Sequence, residues 1–190
     1  MARIAIIVGH PRLGSYCEAL ATSYKKGADD AGHEVKLILT AALKFDPILH
    51  NGFSRDQPLE EDLLVAHDAI WSADHLVFIF PLWFGTMPAL LKGFIERVFQ
   101  ADLAHVQMKR QKVKILEGRS ARVIVTTGMP AWLYRWWYRG YAVKMLRHNI
   151  LGFMGVHPVR TTILGSVERV RVRRREKWLR QVEALGRKAI

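Results

Sequence analysis

Apolar residues along the chain fall into short continuous runs separated by longer stretches in which they recur every three or four positions. Continuous runs predict strands covered on both faces, whereas spacings of three and four predict helices with one buried side. Arg3 to Val8 is the first run, and Gly9-His10-Pro11 ends it. A helix follows from Ser15, a residue suited to capping, with Ala19, Leu20, Ser23, Tyr24 and Gly27 at helical spacing and Ala31-Gly32-His33 closing the element. Glu34 to Leu39 reads as the second strand, and Asp46 to Gly52 carries the Pro, Asn and Gly of turns. Between Leu59 and Ala73, the residues Leu63, Leu64, Ala66, Ala69 and Ile70 form one helical face. Glu60, Glu61 and Asp62 sit at its positive amino end.

His75 to Phe80 is a third strand, stopped by Pro81. Pro88 then opens a helix from Ala89 to Phe99 whose buried side holds Leu90, Leu91, Phe94, Ile95, Val98 and Phe99. Arg122 to Thr127 is a fourth strand, Trp132 to Leu151 reads as mostly helical and rich in aromatics, and Val159 to Leu164 is a fifth strand. A last helix runs from Val170 to Leu185. Strands alternating with helices imply right-handed crossovers and a five-stranded parallel sheet covered on both sides. The expected strand order is 2-1-3-4-5, with ligands bound at the carboxyl ends of the strands near the switch between the first and third. At 190 residues, half of them hydrophobic, the chain suits one such domain spanning 1–190.

Charge adds something the pattern does not. The formal net charge is +12, gathered in Lys109 to Arg122, Arg135 to Arg147 and Arg169 to Lys188. Clustered basic side chains attract polyanions, so dinucleotide phosphates, an anionic membrane surface and nucleic acid are the partner classes to weigh against a merely solvated face. Nucleic acid has the least support, because no recognition motif accompanies the charge. The amino-terminal apolar run is too short for a secretory signal, and no stretch has the length of a membrane span, so a cytoplasmic protein is expected. The lone Cys17 excludes an internal disulfide and offers no metal-ligand spacing.

Three loops should converge at the carboxyl ends: Gly9 to Cys17, Pro81 to Met87, and Thr127 to Tyr134. The first places His10, Arg12 and Ser15 around a helix amino terminus, whose free N–H groups suit a phosphate. It lacks the lysine of a phosphate-binding P-loop, Ser15 standing there instead, and the chain has no Gly-x-Gly-x-x-Gly. The second, Pro81-Leu-Trp-Phe-Gly-Thr-Met-Pro88, offers two aromatics to a flat heterocycle, or else a lid over the core. The third can present N–H groups from Thr126-Thr127-Gly128 to developing negative charge.

Taken together, Gly9-His-Pro-Arg-Leu-Gly-Ser-Tyr16, the run from Pro81 through Leu91-Lys-Gly-Phe-Ile-Glu-Arg-Val-Phe99, and Thr126-Thr-Gly128 resemble the flavodoxin-like NAD(P)H:quinone oxidoreductases. That family includes DT-diaphorase and the ancillary reductases of bacterial potassium-efflux systems. The resemblance implies a flavodoxin-like α/β fold, a bound flavin (FMN or FAD), NAD(P)H as donor and a quinone-like acceptor reduced by two electrons in a ping-pong cycle. It implies a homodimer with each site completed at the interface. It places His10, Ser15, Tyr16 and Cys17 along the ribityl and phosphate groups, Pro81, Leu82, Trp83 and Phe84 along the isoalloxazine, and Thr126, Thr127 and Gly128 at its pyrimidine edge.

Tyr134 falls where relatives carry an active-site tyrosine, so it is the candidate to hydrogen-bond a quinone oxygen, against a plain packing role in an aromatic helix. Arg135, Arg139 or the Lys109–Lys114 run would attract the nicotinamide phosphates. Met129-Pro130 and Gly140 depart from the family pattern, as does Cys17 where asparagine is common, and Cys17 is expected to be a small buried thiol. Two other roles remain to be weighed: a flavin-binding regulatory subunit docked on a membrane transporter through the basic carboxyl-terminal helix, and a one-electron carrier.

Overall fold

In the computed structural model, which describes residues 1–52, 57–108 and 114–190, five parallel strands form one sheet. They are β1 (Arg3–Val8), β2 (Glu34–Leu39), β3 (His75–Pro81), β4 (Ser120–Thr127) and β5 (Val159–Gly165). Their order is β2-β1-β3-β4-β5, as the pattern predicted. The helices are α1 (Tyr16–Asp30), α2 (Glu61–Ser72), α3 (Ala89–Met108), α4 (Ala131–Trp136), α5 (Tyr141–Lys144) and α6 (Val172–Lys188).

The continuous apolar runs lie in the middle of the sheet, where both faces are covered. Ile4, Ile6 and Val8 of β1, with Val77 and Ile79 of β3, pack under α1 and α6. Ala5, Ile7, Leu76, Phe78 and Phe80 pack on the opposite face beneath α2 and α3. The edge strand β2 keeps Glu34 and Lys36 exposed, which leaves one edge polar and poorly suited to pairing with another strand. On the first face, α1 and α6 touch backbone to backbone. A Cβ on Gly27 would lie 1.9 Å from the Glu183 carbonyl oxygen, and one on Gly186 would lie 2.0 Å from that of Tyr24. Only glycine allows so close a crossing.

The predicted helix from Trp132 to Leu151 is broken into three pieces. After α4 the backbone turns left-handed at Arg139 (φ 48°) and Gly140 (φ 61°), restarts as α5, and continues as a π-helical stretch over Met145–Gly152. The pattern from Trp132 onward showed aromatics at helical spacing, but Gly140 supplies the left-handed turn that ends the first piece. α3 extends beyond Phe99 to Met108.

An ion pair between a buried arginine and a partly exposed glutamate holds the irregular connection after β2. Arg97 of α3 is fully buried and donates to both Glu60 oxygens, at 3.2 and 3.0 Å, and to the carbonyls of Asp46 and Pro58. Burial alone would raise the Glu60 carboxyl. Hydrogen bonds from the Asp46 N–H and its own N–H, with the Arg97 guanidinium, outweigh this and hold it below the usual carboxylate range. Among the described residues no helix is long and apolar enough to cross a membrane.

Candidate functional site

The carboxyl ends of β1, β3 and β4 bring the three anticipated loops together. Gly9 N–H donates to the Ile79 carbonyl at 2.8 Å, and Leu82 N–H donates to the Thr126 carbonyl at 2.7 Å. Cys17 Sγ lies 3.5 Å from Thr126 Oγ1, which ties the first loop to the third. Burial pushes the Cys17 thiol up to about 11, so it stays protonated and unreactive as a nucleophile.

Ser15 caps α1, its Oγ accepting from the Glu18 N–H at 3.3 Å, while the Glu18 carboxylate reaches back to the Gly14 N–H at 2.7 Å. The cap satisfies one of the free donors at the helix start, and the Glu18 carboxylate fastens the residue before the cap. The N–H groups of Tyr16 and Cys17, in the first turn, have no acceptor within the helix. Tyr16 is fastened to the last helix: its hydroxyl donates to the Arg175 carbonyl at 3.1 Å, and the Arg175 guanidinium lies 5.9 Å from its ring centroid. Burial pushes the Tyr16 phenol up to about 12.

The second loop is a tight turn. Trp83 and Thr86 exchange two backbone hydrogen bonds of 2.9 Å, and the two residues between them have positive φ, Phe84 at 47° and Gly85 at 78°. That is the backbone of a type I′ turn, in which glycine is comfortable and phenylalanine is not. The strained Phe84 stands wholly in solvent, whereas Trp83 is braced by the His10 ring, edge to face at 5.3 Å. His10 Nδ1 lies 3.0 Å from the Arg12 backbone nitrogen and 3.2 Å from the Arg12 carbonyl oxygen, so the loop backbone fixes the ring. Burial lowers the His10 pKa, a backbone hydrogen bond to Arg12 opposes it, and the Arg12 charge lowers it further.

Pro81, Leu82, Trp83 and Phe84 form one wall of a hollow of about 470 Å³, and Thr126, Thr127 and Gly128 form another. Val167 and Glu168 complete it. These two were missed in the sequence, although they follow β5, and the rule that ligands gather at strand carboxyl ends applies to that strand too. They are held in place because Val167 N–H donates to the Thr127 carbonyl at 3.1 Å and Ser166 N–H to that of Met129 at 2.9 Å. A Cβ on Gly165 would lie 2.2 Å from the Ala131 nitrogen, so the β5 end and the start of α4 meet only through glycine. Gly128 is exposed, and its N–H finds no acceptor among the described residues.

Pro81–Phe84 and Thr126–Gly128 line the hollow, whereas of the first-loop candidates His10 touches its lining at Trp83 and Cys17 at Thr126, and Ser15 and Tyr16 are not among its lining residues. Tyr134 does not line it. Its side chain is buried in the core and its hydroxyl accepts from the Val143 N–H at 3.4 Å. Burial raises its phenol, with hydrogen bonds from Val143 and Ala142 opposing. Arg135 and Arg139 are exposed on the segment above. Of the basic run from Lys109 to Lys114, all but Lys114 lies outside the described residues, and Lys114 pairs with Glu117 at 2.6 Å.

The sequence profile of a family described as having a flavodoxin-like fold matches residues 2–186. An uncharacterized NAD(P)H oxidoreductase of Haemophilus influenzae is 26% identical over 176 residues, covering 85% of this chain and 83% of that protein. Among solved structures, Smu.1420 of Streptococcus mutans is 30% identical with a TM-score of 0.78, covering 97% of this chain and 98% of that one. An NAD(P)H:quinone oxidoreductase from Methanothermobacter marburgensis is 26% identical with a TM-score of 0.75, covering 97% of this chain and 94% of that one. Strand order, loop convergence and the profile match over nearly the whole length agree: the chain belongs to the flavodoxin-like fold family.

Proposed function

We propose that this chain is a cytoplasmic NAD(P)H oxidoreductase that holds a flavin, FMN or FAD, in the hollow between Pro81–Phe84 and Thr126–Gly128 and reduces a quinone-like acceptor by two electrons. The observation that carries this reading is one opening with an aromatic wall and a strand-end amide edge, to which the loop before α1 is tied by the Cys17–Thr126 and His10–Trp83 contacts. The similarity to an NAD(P)H:quinone oxidoreductase across nearly the full chain supports the donor and acceptor classes.

The residues present fit such a group. Gly128 leaves open space where a side chain would otherwise stand, the Glu168 carboxylate being 3.9 Å from a Cβ built there. Its free N–H is a donor for the edge of a planar ring. The Tyr16 and Cys17 N–H groups, with the positive end of α1, suit a phosphate. A flavin, when bound, supplies the hydride chemistry, and the protein's share is placement and a polar edge. Trp83, braced by His10, forms the rigid wall, and Phe84 covers the opening from outside. Donor and acceptor then use the same exposed face in turn. Tyr134 serves this reading as a support beneath the third loop, and reaching an acceptor oxygen requires its hydroxyl to leave Val143. A homodimer belongs to the same proposal and is read from the mass of the protein in solution.

The test is the absorption spectrum of the purified protein, with the chromophore then released and identified. Flavin bands that bleach with NADH or NADPH and return on adding a quinone are the expected result. A colourless protein that takes up neither FMN nor FAD overturns the proposal.

A further inference from the structure

One face of the molecule is both aromatic and basic. Trp132, Trp136, Trp137 and Tyr141 are exposed to 66, 84, 78 and 62% on the segment that carries α4 and α5. Exposed Arg135, Arg139, Lys144 and Arg147 are interleaved with them. From Gly118 through Val167 the chain contains no aspartate or glutamate at all.

The amino-terminal half of α6 continues this face. A hollow of about 420 Å³ is lined by Trp132 from the aromatic segment and by Arg174 and Trp178 from α6. A second, of about 750 Å³, shares Arg174 and Trp178 and adds Arg169, Arg171, Arg173 and Lys177. The α6 start has no acidic residue in its first turn, so its positive helix end reinforces the arginines.

Among the described residues, several basic side chains elsewhere are paired with carboxylates. Lys25 pairs with Asp29 at 2.7 Å, Lys26 with Glu183 at 2.7 Å, and Arg187 with Asp30 and Glu183 at 3.0 and 2.7 Å. Lys92 pairs with Glu96. Among the described residues, Arg135, Arg139, Lys144, Arg147, Arg171, Arg173 and Lys177 form no ion pair, and they gather on the face that also carries the exposed tryptophans. Indole and phenol rings favour the boundary between headgroups and acyl chains, and basic side chains near a bilayer are drawn to anionic lipid.

We infer that this face, Trp132–Phe153 with the first half of α6, docks the protein on an anionic lipid bilayer. The aromatic side chains sit at the headgroup boundary and the arginines rest against lipid phosphates. Exposed Phe153 (51%) and Val172 (69%) favour a bilayer over a polynucleotide, because acyl chains bury them and a polynucleotide backbone does not. A second copy of this chain docked patch to patch would set arginine against arginine across a twofold axis. The inference does not depend on a flavin being bound.

Co-sedimentation of the full chain with vesicles tests it, comparing phosphatidylcholine alone with phosphatidylcholine mixed with phosphatidylglycerol. Capture should be about tenfold stronger on the anionic vesicles, fall with added salt and blue-shift the tryptophan emission. The pairs Trp136→Ala/Trp137→Ala and Arg135→Gln/Arg139→Gln should each reduce capture about tenfold. Lys26→Gln, on the neutralised face, should not change it. All four altered positions in the pairs are solvent-exposed, and unchanged circular dichroism would show that these variants fold. Absence of capture, equal capture by neutral vesicles, or aromatic variants that bind as tightly as the parent would each overturn the inference. So would tight binding of a single-stranded oligonucleotide without vesicle capture, or a patch-dependent dimer that hides the tryptophans from vesicles.

Discussion

At the amino ends of the strands, Arg3 meets Asp74 at 3.1 Å, Arg119 donates to the Ala73 and Trp71 carbonyls at 2.9 and 2.6 Å, and His75 shares a proton with Ser120 at 2.7 Å. Arg122, nearly buried, donates to Thr162 Oγ1 at 2.8 Å and to the Ile190 carbonyl oxygen. At the carboxyl ends of the same strands, Phe84 holds a left-handed backbone in full solvent, the Gly128 N–H is free, and Trp83 is half exposed. The first end uses most of these polar groups on internal partners, His75 Nε2 being an exception among the described residues, and the other leaves an aromatic and an amide open to solvent. The contrast assigns stability to the first end and binding to the second, and substitutions at the two ends should separate these properties.

The largest effect is expected at Arg122. Arg122→Ala removes two charge-assisted hydrogen bonds and leaves a cavity beside β5, and it should lower stability by about 4 kcal/mol in urea denaturation. Flavin affinity of the folded fraction should be unchanged. Loss of flavin binding without loss of stability would break the division of labour between the ends.

The next effect is a pH dependence. Burial, with the charges of Arg122 and Arg160 and nearby His33, lowers the His75 pKa from 6.5 to about 4. Between these values the unfolded chain binds a proton that the folded one refuses, so stability falls as pH drops from 6.5 and the loss is complete near 4. The contribution is on the order of 3 kcal/mol. It should disappear in His75→Gln when denaturation is followed across this range. A parallel pH slope in parent and variant would remove His75 as the cause.

How much of this was legible in the sequence depends on which force fixes each part. The five strands were readable because burial on both faces forces unbroken apolar runs such as Ile4 to Val8 and Leu76 to Phe80. The parallel sheet followed from the handedness of strand–helix crossovers, and its expected order in turn brought the three loops together. The three loops could be named because Gly, Pro and aromatic residues punctuate them. Glu168 and the Arg97–Glu60 pair were not readable. A charged residue carries no local sign of being buried or of facing a hollow, and these contacts span 37 residues or join separate loops. Tyr134 was singled out by resemblance to relatives that carry an active-site tyrosine there, against a packing role in an aromatic segment. Its inward direction is set by the left-handed turn at Arg139 and Gly140, which the helical spacing concealed.

The smallest effect is expected at Phe84. Phe84→Gly relieves a positive φ without giving up buried area, and it should raise stability by about 0.5–1 kcal/mol while weakening flavin or acceptor binding. A variant that gains stability and binds as well as the parent would make the strained aromatic incidental to binding.

The central claim, that the hollow between Trp83 and Gly128 is the flavin site, is tested most directly by titrating FMN and FAD into the apoprotein and into Gly128→Val. Position 128 is exposed, and a Cβ built there meets nothing nearer than the Glu168 carboxylate at 3.9 Å, so the variant should melt like the parent. Its new methyl groups would project into the hollow. The account predicts saturable one-to-one binding by the parent and a loss of affinity of about tenfold or more in the variant. Equal affinity in the two proteins, at equal stability, would contradict it.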